Sequence, residues 1–171
     1  IRVWEILQQV WPAIRTIHSS PQERALDTSK IIANTLQIPH KRIITNDLLR
    51  EMSFWTHEWM QKKDRLVWEC AQEIQDRTDD PYNVSLPGWE NYSQVRKRAQ
   101  EFIESTDLRI QDIIVAHEAF NRMLIWLLAW LSQQEALNIW QGNDLVYRYQ
   151  SWTLHHKRVW DSSWSQWIVT T

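Results

Sequence analysis

Apolar positions recur along the chain with two different periods, and the changes of period mark out the elements. Helical spacing runs through Pro21–Leu36, where Ala25, Ile32, Ala33 and Leu36 share one face. It returns over Glu90–Ser105 through Tyr92, Val95, Ala99, Phe102 and Ile103. Extended runs lie between: AIRTIH (Ala13–His18), KRIIT (Lys41–Thr45) and QDIIVAH (Gln111–His117). The IIVA core of the last suits a central parallel strand buried on both faces. It leads directly into a helix over Phe120–Leu131. Further helices are predicted over Arg2–Val10, over Gln61–Arg77, and from a Ser132 cap to Ile139. Ser19-Ser20-Pro21 reads as an N-cap with a proline in the first helical turn. Asp79–Trp89 is the clearest loop. DLVYRYQ and TLHHKRV read as an antiparallel pair joined near Ser151-Trp152, and the Ser/Trp tail beyond matches nothing regular. Strands alternating with helices, without repeats or a linker, predict an α/β fold with a mostly parallel sheet and one domain over residues 1–171.

Charge narrows the partners. A net charge of -2 and a pI of about 6.3 argue against nucleic acid or a membrane surface held by a general positive field. The single cysteine, Cys70, excludes an internal disulfide and points to a reducing, cytoplasmic setting. The longest apolar run, Met123–Leu131, is too short to span a bilayer, and the opening residues do not read as a signal peptide. Two sequons, at Asn83 and Asn91, stand without other signs of secretion.

Composition is abnormal in one respect. The chain holds 2 Gly and 13 Trp. Average usage would supply roughly 12 glycines, the residues that turns and helix ends use for positive φ. The two counts add to 15 (2 + 13), an ordinary number for glycine with a tryptophan or two.

Candidate chemistry follows from the topology, because open parallel sheets bind ligands beyond the carboxyl ends of their strands. Three segments point there: His18-Ser19-Ser20 with Arg24 one turn into the next helix, His117 at the end of the best strand, and the Leu48–Glu51 connection. Arg24 and His117 beside helix N-termini would form an anion site. Glu51, with a raised pKa, could donate a proton to a leaving alkoxide. Plainer readings stand beside these: a solvated Arg24, a structural His117, and an exposed Arg50–Glu51 charge pair. His155-His156 invites a metal reading, but neighbouring strand side chains face opposite ways.

Five segments in order then resemble the histidine phosphatase (phosphoglycerate mutase-like) superfamily. SSPQERALDTSKIIA (Ser19–Ala33) is similar to that family's SSPLxRAxQTAxxIA, and LREMSFWTHEWM to LREIxFGxWEG. LPGWENY (Leu86–Tyr92) looks like PGGESY. DIIVAHEAFNRMLIWLLAWL looks like VLVVxHxxxxRxLLxxLLGL, in the subgroup reading HDAV or HQAV. QGNDLVYRY (Gln141–Tyr149) looks like QGNxxVxxY.

The resemblance implies a three-layer αβα sandwich and phosphoryl transfer through a phosphohistidine, without metal or other cofactor. It makes Arg24 the second phosphate-binding arginine, Glu51 the proton donor, and His117 a pocket histidine on the phosphoryl oxygens. Ser20 joins Arg24 and His117 as substrate-binding. The implied partner is a phosphorylated small molecule; a homodimer is left open.

Two departures accompany it. The family's first strand ends in Arg-His-Gly, the source of the nucleophile, and this sequence has no such motif. It reads as lacking the N-terminal strand, and a non-catalytic member binding phosphate compounds or a partner is the alternative. Also, Trp55, Trp59, Trp89 and Trp130 stand at family glycine positions, and Trp4, Trp11 and Trp152 at helix ends or turns. A short span from Glu51 to Gly88 favours phosphatase over mutase. An aromatic ligand surface built from the tryptophans is a third option, though they follow no single face.

Overall fold

The computed structural model describes residues 14–53, 71–86, 88–109, 111–139, 141–142, 145–150, 153–158 and 165–166. The predicted helix Arg2–Val10, the Gln61–Cys70 half of the next one, His57, and Trp4, Trp11, Trp55, Trp59 and Trp152 lie outside these residues.

The site-bearing half is a parallel sheet of β1 (Thr16–Ser19), β2 (Ile43–Thr45) and β3 (Asp112–Val115), ordered β2-β1-β3. Ile17 pairs with Ile43 on one side and Ile113 on the other, while Ser19 faces Thr45 and Val115. Here the pattern-based expectation is corrected in its burial. Among the described residues β1, buried throughout, is paired on both sides, whereas the IIVA segment is paired on one side and is half-buried, not buried on both faces. An apolar run records burial, and it does not say which neighbour supplies it.

Helices cover both faces. Helix α1 (Glu23–Thr35) turns Ala25, Ser29, Ile32 and Ala33 inward, and with Ile14 and Ile38 packs on Ile17, Ile43, Ile113 and Val115. On the opposite face lie α3 (Tyr92–Ser105) and α4 (Glu118–Ala129). Val95, Ala99 and Phe102 of α3 meet Phe120, Met123 and Leu124 of α4. Phe102 stands edge-on to both His18 and Phe120, at 5.8 and 6.1 Å between ring centroids. The result is the α/β fold expected from the alternation, in the three layers that the family resemblance implies.

Ends and connections follow side-chain chemistry. The predicted Ser-Ser-Pro cap is not how α1 begins. Gln22 is the N-cap residue, without a side-chain cap bond. The Ser20 hydroxyl is used by the Gln22 N–H and by His117 instead. Helix α3 is closed by a capping box of Asn91 and Gln94, and α5 (Gln133–Asn138) by one of Ser132 and Glu135. Asn91, a sequon residue, is buried and donates to the Asn83 carbonyl. Helix α2 (Ala71–Asp79) precedes the loop carrying Gly88. β4 (Leu145–Gln150) and β5 (Thr153–Arg158) form the predicted antiparallel pair. The tail adds a two-residue strand, β6 (Ser165–Gln166), which the sequence pattern does not reveal.

Candidate active site

Three of the four predicted site residues form one hydrogen-bonded chain beyond the carboxyl ends of β1 and β3. Ser20, fully buried, follows β1, and its Oγ lies 2.9 Å from His117 Nε2. His117 follows β3 and is the N-cap residue of α4, in an extended conformation with no side-chain cap bond. Arg24, in the first turn of α1 and exposed, donates from Nε to His117 Nδ1 at 3.2 Å. An arginine only donates, so Nδ1 is the unprotonated ring nitrogen and Nε2–H is left to donate to Ser20. Burial, then the charges of Arg24 and Arg98, lowers the His117 pKa from 6.5 to about 4. The ring is therefore neutral at pH 7, and the cation beside it is the guanidinium.

Glu51 completes the group from the connection after β2. Asp47–Leu49 is a single 3-10 turn whose N-cap, Asn46, accepts from the Leu48 N–H. Leu49 and Met52 are both buried in the α3–α4 core and anchor the chain on either side of Glu51. The Glu51 N–H donates to Gln22 Oε1 at 3.0 Å. Its carboxylate accepts from the Met52 N–H at 2.9 Å. Burial raises its pKa; the Met52 and Ala119 amides and the Arg24 charge oppose that, and Glu118 adds to it. The reach to the Ala119 amide and to Arg24 puts this half-buried carboxyl at the N-terminal turn of α4, beside the Arg24–His117–Ser20 chain.

Of the plainer readings, the Arg50–Glu51 charge pair does not form, because Arg50 pairs with Asp47. His117 is a buried, hydrogen-bonded residue, and its bonds join it to Arg24 and Ser20. Elsewhere, His18 is buried against Phe102 and Asp112, and His40 bonds Asn34. Among the described residues no cluster of three or more His, Cys, Asp or Glu is placed to hold a metal.

Sequence reasoning missed three contributors. Gln22 holds Glu51 and was read only as part of a helix start. Glu90 and Arg98 form a bidentate pair, with both bonds at 2.8 Å, that grips the Leu48–Ser53 segment. A signal was present: Arg98 sits in the stripe Asn91, Val95, Arg98, Phe102, where a cation interrupts an apolar face.

Arg24 can hold a phosphoryl group by its guanidinium fork, and the α4 N-terminus can add N–H donors. The Glu51 carboxyl, protonated more readily than usual, can pass a proton to a departing oxygen.

Known proteins share this fold. The histidine phosphatase superfamily (branch 1) matches residues 3–158. Among solved structures, Bacillus stearothermophilus YhfR superposes with a TM-score of 0.68 at 18% identity, over 91% of this chain and 72% of its own. The alpha-ribazole phosphatase from Shigella flexneri gives 0.63 at 18%, over 90% and 72%. The mycobacterial glucosyl-3-phosphoglycerate phosphatase in complex with inorganic phosphate gives 0.64 at 17%, over 98% and 81%. No curated protein sequence matches significantly. With an ordered set of motifs, a shared fold and a match across nearly the whole chain, this protein belongs to the histidine phosphatase superfamily, branch 1.

Proposed function

We propose that the site binds the phosphoryl group of a phosphomonoester and serves its hydrolysis through a phosphohistidine. One observation carries the reading. Arg24, His117 and Ser20 form one hydrogen-bonded chain at the start of α4, next to a carboxyl group whose pKa is raised. Arg24 and the α4 amides hold the phosphoryl oxygens, His117 and Ser20 line the anion site, and Glu51 protonates the leaving alkoxide. Loss of a phosphoryl group needs charge stabilisation and positioning more than new bonds from the protein. The covalent step needs a histidine nucleophile, and the Arg-His-Gly motif that would carry it does not occur between Ile1 and Thr171.

Phosphatase is preferred to mutase. The Glu51–Gly88 span is short, and phosphatase structures superpose with TM-scores of 0.62–0.64, against 0.54 for a Bacillus anthracis phosphoglycerate mutase. The second reading is a member that binds phosphate compounds without turnover, and the test below separates the two.

The test uses the protein as encoded, with any residues that precede Ile1, and a labelled phosphomonoester. Release of inorganic phosphate with acid-labile label on histidine supports the hydrolase. Phosphate binding without labelling or release supports the binding member. Absence of any phosphate binding sinks both.

A further inference from the structure

Resting on the reading of Glu51 as the proton donor, we propose that the Arg98–Glu90 ion pair is a positioning device that sets where the Glu51 carboxyl stands. Glu51 lies on a stretch with no regular structure, just after the 3-10 turn Asp47–Leu49. Nothing in its own backbone pattern fixes it, so its position has to come from other groups. Arg98 Nη1 donates to the carbonyls of Leu48 and Arg50, the latter at 3.1 Å. Arg98 Nε and Nη2 engage both oxygens of Glu90. Glu90 Oε2 accepts from the Ser53 N–H, and the Glu90 N–H donates to the Ser53 carbonyl, each at 2.9 Å. Three backbone groups before and after Glu51 are thus held by the side chains of one pair and a fourth by the Glu90 amide, and Gln22 holds the Glu51 amide between them.

The pair is built to be stiff. Its side chains are only 20% and 23% exposed, and an arginine–carboxylate fork fixes orientation as well as distance. The guanidinium also lies over the Phe120 ring, 5.9 Å from its centroid, which ties the clamp to the core of α4. Because α4 begins at the anion site, α3 and the clamp hold the acid and the anion site in one frame. Proton transfer is sensitive to such placement, and a shift of about 1 Å can cost about a hundredfold in rate. Lysine at position 98 keeps the charge but cannot make the two-pronged contact or reach two carbonyls in the same plane.

The test compares Arg98→Lys and Glu90→Gln with the unaltered protein as encoded, on two esters. The nitrophenolate of p-nitrophenyl phosphate leaves without help from an acid, whereas the alkoxide of glycerol phosphate needs a proton. Each variant is expected to lose at least about tenfold more kcat/KM on glycerol phosphate than on p-nitrophenyl phosphate. Inorganic phosphate affinity stays within about twofold, and the Met52 and Ser53 amides exchange faster. Equal losses on both esters, or a matching loss of phosphate affinity, would mean a general structural role and would overturn the proposal. If the unaltered protein hydrolyses neither ester, it is the hydrolase reading that fails. The clamp is then judged on the carbon-13 titration of the Glu51 carboxyl and on the same amides: a displaced midpoint with faster exchange upholds it, and unchanged values refute it.

Discussion

Arg24 Nε lies 3.2 Å from His117 Nδ1 and occupies the lone pair that a proton on the imidazole would need. The arginine thus holds the histidine neutral by geometry as well as by charge. It follows that the attraction for an anion at this site resides in the guanidinium and the start of α4, not in an imidazolium. Arg24→Ala is expected to weaken inorganic phosphate binding by about 10- to 100-fold, the range for one charged hydrogen-bonding group. Arg24→Lys should recover part of it, because a point charge remains without the fork. Calorimetric titration with phosphate reads both. Equal affinity in wild type and Arg24→Ala would remove Arg24 from the ligand set.

The lowered pKa of His117 makes a second prediction, on stability. Between the ordinary value of 6.5 and the folded value of about 4, the unfolded chain binds a proton that the folded chain refuses. The contribution is fully present above pH 6.5 and is lost as pH falls toward 4, by roughly 3 kcal/mol in all. Glu51 works with the opposite sign: its raised pKa favours the folded state at low pH, and that help fades as pH rises past the ordinary carboxyl value. The two oppose each other wherever both titrate, so comparison with a His117 variant isolates the histidine across the interval from pH 6.5 to about 4. Urea midpoints should fall across it in the wild type and change less in His117→Asn. Parallel slopes in the two proteins would assign the effect elsewhere.

Much of this site can be read from linear sequence, for a physical reason. Ser20, Arg24 and His117 lie where strands end and helices begin, and a parallel sheet puts all such junctions on one edge. Glu51 is legible through the connection it lies in and the LRE segment of the family resemblance; that its neighbours Leu49 and Met52 both enter the core is seen only in the fold. Gln22 was missed because Ser-Ser-Pro is the stronger cap signal, and only the fold shows Ser20 committed to His117. Arg98 and Glu90 are eight residues apart, and their role depends on a segment that lies some 40 positions upstream of both. The order β2-β1-β3 was equally invisible, because TIHS and DIIV differ little in what their letters say about neighbours.

Phe102 gives a prediction on the core. It has no exposed surface and joins β1, through His18, to α4, through Phe120. Phe102→Ala is expected to cost about 3–5 kcal/mol in denaturant unfolding, the usual range for a fully buried ring. A loss below about 1 kcal/mol would show that the layers close over the gap.

The tryptophans allow a paired test, because two positions that the family resemblance assigns to glycine behave differently in the fold. Trp130 ends α4 at φ 55° and ψ 37°, the left-handed conformation of a helix C-cap, and is 82% exposed. A Cβ is disfavoured there, and the ring gains almost no burial. Trp89 is 8% exposed, and Arg77 lies over its ring at 5.1 Å from the centroid. Its φ is not positive; among the described residues Gln37, Gly88 and Trp130 are the ones that are. Trp130→Gly should therefore raise stability by about 1 kcal/mol. Trp89→Gly should lower it by about 3 kcal/mol or more, through lost burial and a looser backbone. Thermal unfolding of the two variants decides the matter. If both substitutions stabilise, the Trp89 ring contributes nothing to the core; if both destabilise, the strain assigned to Trp130 is not there.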